Sequence, residues 1–239
     1  MRLNKYIASS GLCSRRKADE LIEQGSVMVN GKKITELGFD VQPKDKVFVN
    51  QKLIHPIKHE YYRFYKPAGY ITTCDDEQGR KTIYDLLPQN LHHLKPVGRL
   101  DKDSTGLLIL TNDGDLINAL THPSVKIPKI YIVSVGTHMH QNEFEQMANG
   151  IEIEKGKIAY ADVTVLEADN KHTMMQIVLY QGMNRQIRKM LEYLGHEVKS
   201  LKRIQHATIQ ITGLKRGEFK PIKPQQIKEL KNFIGKSNA

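Results

Sequence analysis

Gly98-Arg99-Leu100-Asp101-Lys102-Asp103-Ser104-Thr105-Gly106 runs straight into Leu107-Leu108-Ile109-Leu110-Thr111, and Asn112-Asp113-Gly114 follows. The apolar run, with glycine before it and a turn sequence after it, predicts a short strand buried on both faces. The head of the stretch is polar. It sets two carboxylates, two basic side chains and two hydroxyls between glycines, at the mouth of that strand. A rigid strand holding a polar loop can aim a catalytic side chain. The same residues also fit an ordinary turn in which Asp and Ser side chains bond their own backbone.

The 239 residues suffice for one or two domains with a sizeable core. Thirty-six Lys and Arg against 26 Asp and Glu leave a formal charge of +10, which favours a polyanionic partner, nucleic acid first and a membrane surface second. There is no long uncharged apolar stretch and no apolar signal core at the N-terminus, so neither spanning nor secretion is expected. Cys13 and Cys74 stand far apart, which suits reduced thiols in a cytoplasmic protein better than a disulfide or a zinc site.

Leu3 and Ile7 suggest a short helix ending near Ser10-Gly11, and Ser14 can cap a second one carrying Ala18, Leu21 and Ile22 at helical spacing. The first turn of that second helix holds Arg15, Arg16 and Lys17, where the macrodipole favours acids. Such a cluster suits a phosphate ligand, and equally a solvated basic face. Val27-Met28-Val29, the hairpin signal Asn30-Gly31 and Val47-Phe48-Val49 make a small sheet. His55-Pro56-Ile57-Lys58-His59 reads as a linker. The expected boundaries are therefore a small domain with its linker over residues 1–59 and a larger one over 60–236.

The larger domain opens with the aromatic strand Tyr61–Tyr65, turned by Lys66-Pro67-Ala68-Gly69. A polar loop, Asp75 to Arg80, and a short helix from Thr82 to Leu87 come before the central strand. Beyond it, helices are predicted at 115–121, 142–149, 184–194 and 224–233, and strands at 130–135, 162–166, 173–180, 198–204 and 208–211. Strands outnumber helices and hairpins outnumber crossovers, which points to α+β with a largely antiparallel mixed sheet flanked by helices.

On the helix starting at Asn184, Ile187, Leu191 and Leu194 form an apolar stripe, while Arg185, Arg188 and Lys189 share another face. Three neighbouring cations call for an anion, whether RNA phosphate, the Asp101 carboxylate or solvent. Tyr131 alternates with Ile130 and Ile132, so periodicity makes it a core or half-exposed aromatic. His92-His93 and the pair His138 and His140 lack a third ligand type at metal spacing, so no metal is expected. No phosphate-cradling or dinucleotide glycine pattern occurs, and no cofactor is expected. Asp101 and Asp103 stand too close along one strand for a glycosidase pair.

Gly98-Arg99-Leu100-Asp101 with Gly106-Leu107-Leu108 resembles the catalytic motif of the bacterial ribosomal-RNA pseudouridine synthases of the RsuA/RluB type. Lys66-Pro67-Ala68-Gly69-Tyr70, Lys129-Ile130-Tyr131-Ile132-Val133 and Gly182-Met183-Asn184-Arg185-Gln186-Ile187-Arg188-Lys189-Met190 resemble three more of its motifs, in its order. The N-terminal segment is similar to the αL-type RNA-binding module found in a small-subunit ribosomal protein. The resemblance covers essentially the whole chain. It implies a cofactor-free isomerase that turns a uridine of ribosomal RNA into pseudouridine, with Asp101 as nucleophile or as base on the sugar. It further implies that Arg188 pairs with Asp101, that Tyr131 stacks on the uracil, and that Arg99 supports base flipping. Arg15, Arg16, Lys17, Lys66, Arg185 and Lys189 are then expected to contact RNA. The motifs stand closer to the large-subunit enzymes, with small-subunit enzymes as the alternative. A monomeric cytoplasmic protein acting on ribosomal RNA or a pre-ribosomal particle is expected. A non-catalytic assembly factor would share the charge and the N-terminal module, but would have no use for the Asp101, Tyr131 and Arg188 constellation.

Overall fold

The computed structural model describes residues 1–74 and 76–237 and divides the chain into two compact units. One comprises Met1–Glu60 with Asn112–Gly114, the other Tyr61–Thr111 with Asp115–Ala239. Asp75, the first residue of the expected polar loop, lies outside the described residues.

In the first unit, α1 (Leu3–Ser9) and α2 (Arg15–Glu23) pack on a sheet of β1 (Val27–Val29), β2 (Lys32–Ile34), β3 (Val47–Val49) and β4 (Lys52–Ile54) in the order β2-β1-β3-β4. Leu3, Ile7, Ala18, Ile22, Val27 and Val47 are all buried in one core. The Ser14 hydroxyl caps α2 by accepting the Lys17 N–H at 3.2 Å. Asn30 and Gly31 adopt positive φ (51° and 81°), as the hairpin signal demands. A second hairpin went unrecognised in the sequence. Asn50 and Gln51 take φ of 47° and 65° between β3 and β4, a turn made without glycine. The expected linker is tied down at Ile57, whose N–H donates to the Ser9 carbonyl at 2.9 Å.

The second unit is built on a nine-stranded sheet. Its main path is β11 (Asp162–Asp169), β12 (His172–Leu179), β8 (Lys129–Val135), β13 (Val198–His206), β7 (Thr105–Thr111), β5 (Tyr61–Lys66) and β15 (Phe219–Pro221). The two-residue strands β6 (Lys95–Pro96) and β14 (Ile209–Gln210) pair with β7 and β13. The β7–β13 pair is parallel, and the other described pairs of this sheet are antiparallel. A separate hairpin, β9 (Ile151–Glu154) and β10 (Lys157–Ala159), and helices α3 (Gly114–Thr121), α4 (Gln141–Asn149), α5 (Gln186–Tyr193) and α6 (Pro224–Ser237) complete the α+β unit. The segment after Thr82 is a 3-10 turn, Ile83–Leu86, closed by a capping box between Thr82 and Asp85.

The strand β7 is buried on both faces, as the apolar run predicts. Leu107 and Ile109 pack with residues of α3 and α6, while Leu108 and Leu110 pack with Phe64, Ile83, Leu87 and Leu91. The two-residue period of the strand divides one continuous apolar run between two cores. Gly106 explains why β13 can lie alongside. A Cβ there would sit 2.9 Å from the Arg203 carbonyl carbon and nearer still to its nitrogen and oxygen, at a φ of +111°. The parallel pairing Arg203↔Gly106 therefore requires glycine.

Candidate active site

The loop between Gly98 and Thr105 is fixed from beneath by a lysine. Lys66, the last residue of β5, is fully buried, and its ammonium donates to the carbonyls of Asp101 (2.9 Å) and Ser104 (2.9 Å). Longer bonds reach Pro67 (3.2 Å) and Lys102 (3.4 Å). The backbone N–H of Gly69 donates to the Lys102 carbonyl at 2.8 Å, and the Thr72 hydroxyl donates to that of Leu100 at 2.8 Å. One buried cation thus gathers the carbonyls of two turns, and the Asp101 side chain emerges from a backbone with little freedom. Burial pushes the Lys66 ammonium down to about 8, against the upward pull of Asp101 and then Asp103; nearby Arg203 pushes it further down.

Lys66 is therefore corrected from an RNA-contacting residue to an internal one. The sequence signal was real, a lysine before Pro67-Ala68-Gly69, but charge alone does not reveal that four carbonyls converge on it.

Asp101 lines an open groove of about 960 Å³ together with Thr72, Cys74, Arg99, Leu100 and Arg185. Arg99 is exposed at this groove. Asp76 and Glu77 from the polar loop also line it, and Asp76 is held by the Arg80 guanidinium at 2.6 Å. The acids of this loop face the same space as Arg99 and Arg185.

The expected Asp101–Arg188 ion pair does not form: among the described residues no such contact lies within 4.0 Å. Arg188 instead donates to the Asp103 carbonyl at 3.4 Å, and its Nε–H is buried without a partner. Arg185 approaches the Asp103 carboxylate at 3.8 Å. Both arginines thus meet the loop two residues beyond Asp101. Arg185 stands just ahead of α5 with φ +51°, a left-handed conformation that is uncommon for a side-chain-bearing residue and that the sequence did not announce.

Tyr131 is 8% exposed and shares a core with Leu100, Ile187 and Leu191. It lies behind the residue that precedes Asp101 and does not line the groove, so the expectation of a ring facing the cleft is not met here. Its strand position explains this, because Tyr131 is in register with Arg203 on one side and Ile177 on the other, deep in the sheet.

Lys189 is also corrected. Its ammonium pairs with Glu154 of the β9–β10 hairpin, and the hydrogen bonds of Lys157 and then Lys189 bring that carboxyl down to about 2. A lysine already committed to an acid is a poor phosphate ligand. In the first unit, Arg15, Arg16 and Lys17 are all exposed on the opening turn of α2. Lys17 pairs with Glu20 at 2.6 Å, while the two arginines have no ion pair among the described residues.

Among the described residues, no helix is long and apolar enough to cross a membrane. Residues 60–193 match the RNA pseudouridylate synthase family, and residues 1–52 match the S4 domain. The chain is 40% identical over 232 residues to ribosomal large subunit pseudouridine synthase B of Bacillus subtilis, covering 96% of this chain and 95% of that protein. It is 38% identical over 242 residues to the dual-specificity RNA pseudouridine synthase RluF of Escherichia coli K12, covering 100% and 81%. A crystal structure of a pseudouridylate synthase superposes with a TM-score of 0.69 at 27% identity, over 96% of this chain and 99% of that one.

Proposed function

The chain belongs to the RNA pseudouridylate synthases, a family of isomerases, and carries an S4 domain; from that premise we propose that it converts a uridine of large-subunit (23S) ribosomal RNA to pseudouridine in the cytoplasm. The large-subunit assignment is supported by the Bacillus subtilis relative, whose name specifies that subunit. The proposed division of labour gives residues 1–59 RNA capture and residues 60–236 the chemistry. The enzyme acts as a monomer on ribosomal RNA or a pre-ribosomal particle.

The observation that carries the site assignment is the Asp101 loop, clamped through its carbonyls by buried Lys66 and opening on a groove large enough for one extruded nucleotide. In the reaction the bond between uracil N1 and the sugar C1′ breaks, the base turns, and C5 bonds to C1′. The C5 proton is lost and N1 gains one, so the net change is an isomerisation. Asp101 acts first on the sugar, as nucleophile or as base, and the clamp holds its carboxylate at a fixed height above the groove floor. Arg99 stands at the groove to fill the helix position the flipped base leaves. Arg188, through the Asp103 carbonyl, positions the far end of the loop. Tyr131 packs in the same core as Leu100 and supports the loop from within the sheet.

Asp101→Asn preserves shape and removes the charge. It is expected to reduce tritium release from uracil C5 by at least about 10⁴-fold while leaving RNA affinity within about twofold, since affinity comes mainly from phosphate contacts elsewhere. Full turnover in this variant, or none in the wild type on any ribosomal RNA, refutes the reading. The second result would favour a binding factor.

A further inference from the structure

Between β12 and α5 the chain makes a short loop, Gly182-Met183-Asn184-Arg185, with a glutamine at each end. Gln186 is 3% exposed, and its whole amide is hydrogen-bonded. Its oxygen accepts from the Met183 N–H at 3.3 Å, and its Nε2 donates to the Tyr160 carbonyl and to the Gln181 side-chain oxygen, both at 3.1 Å. Gln181 in turn accepts from the Tyr160 N–H at 2.9 Å and donates to the Ile158 carbonyl at 3.1 Å. The two amides thereby tie the loop and the end of β10 to the first turn of α5. The ion pair of Lys189 with Glu154 joins the same hairpin to the same helix. A buried amide with all its partners met fixes the geometry of whatever it bonds.

The residue this network holds is Arg185, whose φ of +51° lies in the left-handed region. Glycine takes that angle without strain, whereas a residue with a Cβ does so where its surroundings impose it. Here Gln186 imposes it. Its main-chain N–H donates to the Met183 carbonyl at 3.4 Å while its side chain accepts from the Met183 N–H, so both main-chain groups of Met183 end on Gln186. Asn184 and Arg185 must make the turn between these two fixed residues. The guanidinium carried on that turn is half-exposed and lines both the Asp101 groove and a second groove of about 480 Å³. Its ion pair with the Asp103 carboxylate, at 3.8 Å, is long and open to solvent. Such a pair contributes little and is readily exchanged for a phosphodiester, to which arginine offers two parallel donors.

We infer that Gln186, together with Gln181, is a positioning residue: it sets Arg185 at the rim shared by the two grooves, where the guanidinium binds a phosphate of the RNA strand carrying the target uridine. The inference rests on the proposed ribosomal RNA substrate and assigns part of the affinity for it to a buried amide that never touches it.

The test measures the dissociation constant for a ribosomal RNA fragment at several salt concentrations, together with kcat and KM. Wild type, Gln186→Leu, Arg185→Ala and the double variant are compared, with melting temperature as the check on folding. Gln186→Leu is expected to weaken binding and raise KM about tenfold, the loss of one charge-assisted hydrogen bond, with kcat kept within about threefold. Its plot of log K against log salt should flatten by about 0.7, one phosphate contact on a single strand. Arg185→Ala should do the same, and the double variant should lose no more than either single one. An unchanged salt slope in Gln186→Leu, or losses that add in the double variant, would make Gln186 a merely structural residue and overturns the inference. So does unchanged RNA affinity in Arg185→Ala. Should Gln186→Leu fail to fold, the same cycle is run with Gln181→Ala, which removes one partner of Gln186 and leaves α5 intact. If the wild type forms no pseudouridine, the proposed function fails, while the binding cycle still decides the role of Gln186.

Discussion

The opening turn of α2 and the floor of the Asp101 loop are both built around basic side chains, and they use charge in opposite ways. Arg15, Arg16 and Lys17 stand in water at the end of a helix, where nothing in the fold depends on their exact placement. Lys66 is enclosed, and every bond it donates ends on a main-chain carbonyl. An exposed cation acts at a distance, is screened by salt and adds to affinity. A buried ammonium is costly unless its donors are met, so it imposes a geometry on whatever meets them. Under the proposed division of labour between capture and chemistry, variants in the two regions should fail differently.

The largest effect is expected where main chain approaches main chain beneath the loop. Gly106→Ala forces a methyl into the Arg203 backbone at a φ that disfavours it, and should cost about 4 kcal/mol or more, or prevent folding. Chemical denaturation measures it, and a loss under about 1 kcal/mol would show that the β7–β13 approach is not tight. Lys66→Met keeps an unbranched side chain, one heavy atom shorter, but orphans the carbonyls of Asp101 and Ser104. A loss of about 3 kcal/mol and a fall in turnover of about 10³-fold are expected, with RNA affinity nearly intact. A variant that binds poorly yet turns over normally would reverse the comparison.

The pH dependence offers a finer break. The Lys66 ammonium lies at about 8 in the folded protein against 10.5 for an ordinary lysine. Between those values the unfolded chain holds the extra proton, so this group makes folding stability rise with pH in that window; below about 8 its contribution is flat. Turnover should move the other way, falling as the ammonium loses a donor from the loop. Melting curves and single-turnover rates between pH 7 and about 10, run beside Lys66→Met, check the divergence, because the variant lacks both trends.

The smallest effects belong to the exposed turn. Replacing Arg15 and Arg16 together by Ala should leave stability and single-turnover chemistry unchanged, while RNA affinity falls and the slope of log K against log salt flattens by about 1.5. Lys17→Ala should add about twofold or less, since Glu20 already holds that ammonium. Titrations at several salt concentrations decide both. An unchanged slope in the double variant would make the cluster a solvated face.

How much of this was legible beforehand varies with the kind of signal. The doubly buried β7 was, because an unbroken run of Leu107 to Leu110 admits few environments. The Asn30-Gly31 hairpin was legible too, because few residue pairs accept two positive φ angles at low cost. The turn at Asn50-Gln51 was not, because its conformation is paid for by the pairing of β3 with β4 rather than by its own residues. The Asp101 motif, its neighbour Arg99 and the exposure of Arg15 and Arg16 were read from local pattern, and the structure places Asp101 and Arg99 in one groove.

Side-chain partners across long sequence separations lay beyond that reading. Lys66, Arg188 and Lys189 look alike in a sequence as cations near a motif. Their fates diverge because Lys66 ends beneath the loop 35 residues later, Arg188 reaches the Asp103 carbonyl 85 residues earlier, and Lys189 meets Glu154 of a hairpin with no strong strand signal. By itself the sequence determined the fold class, the two-part organisation and the motif around Asp101, since these follow from periodicity, turn chemistry and charge. Only the tertiary structure decided which cations stay exposed and which hold the protein together, because burial and hydrogen-bond partners are set by packing between distant segments.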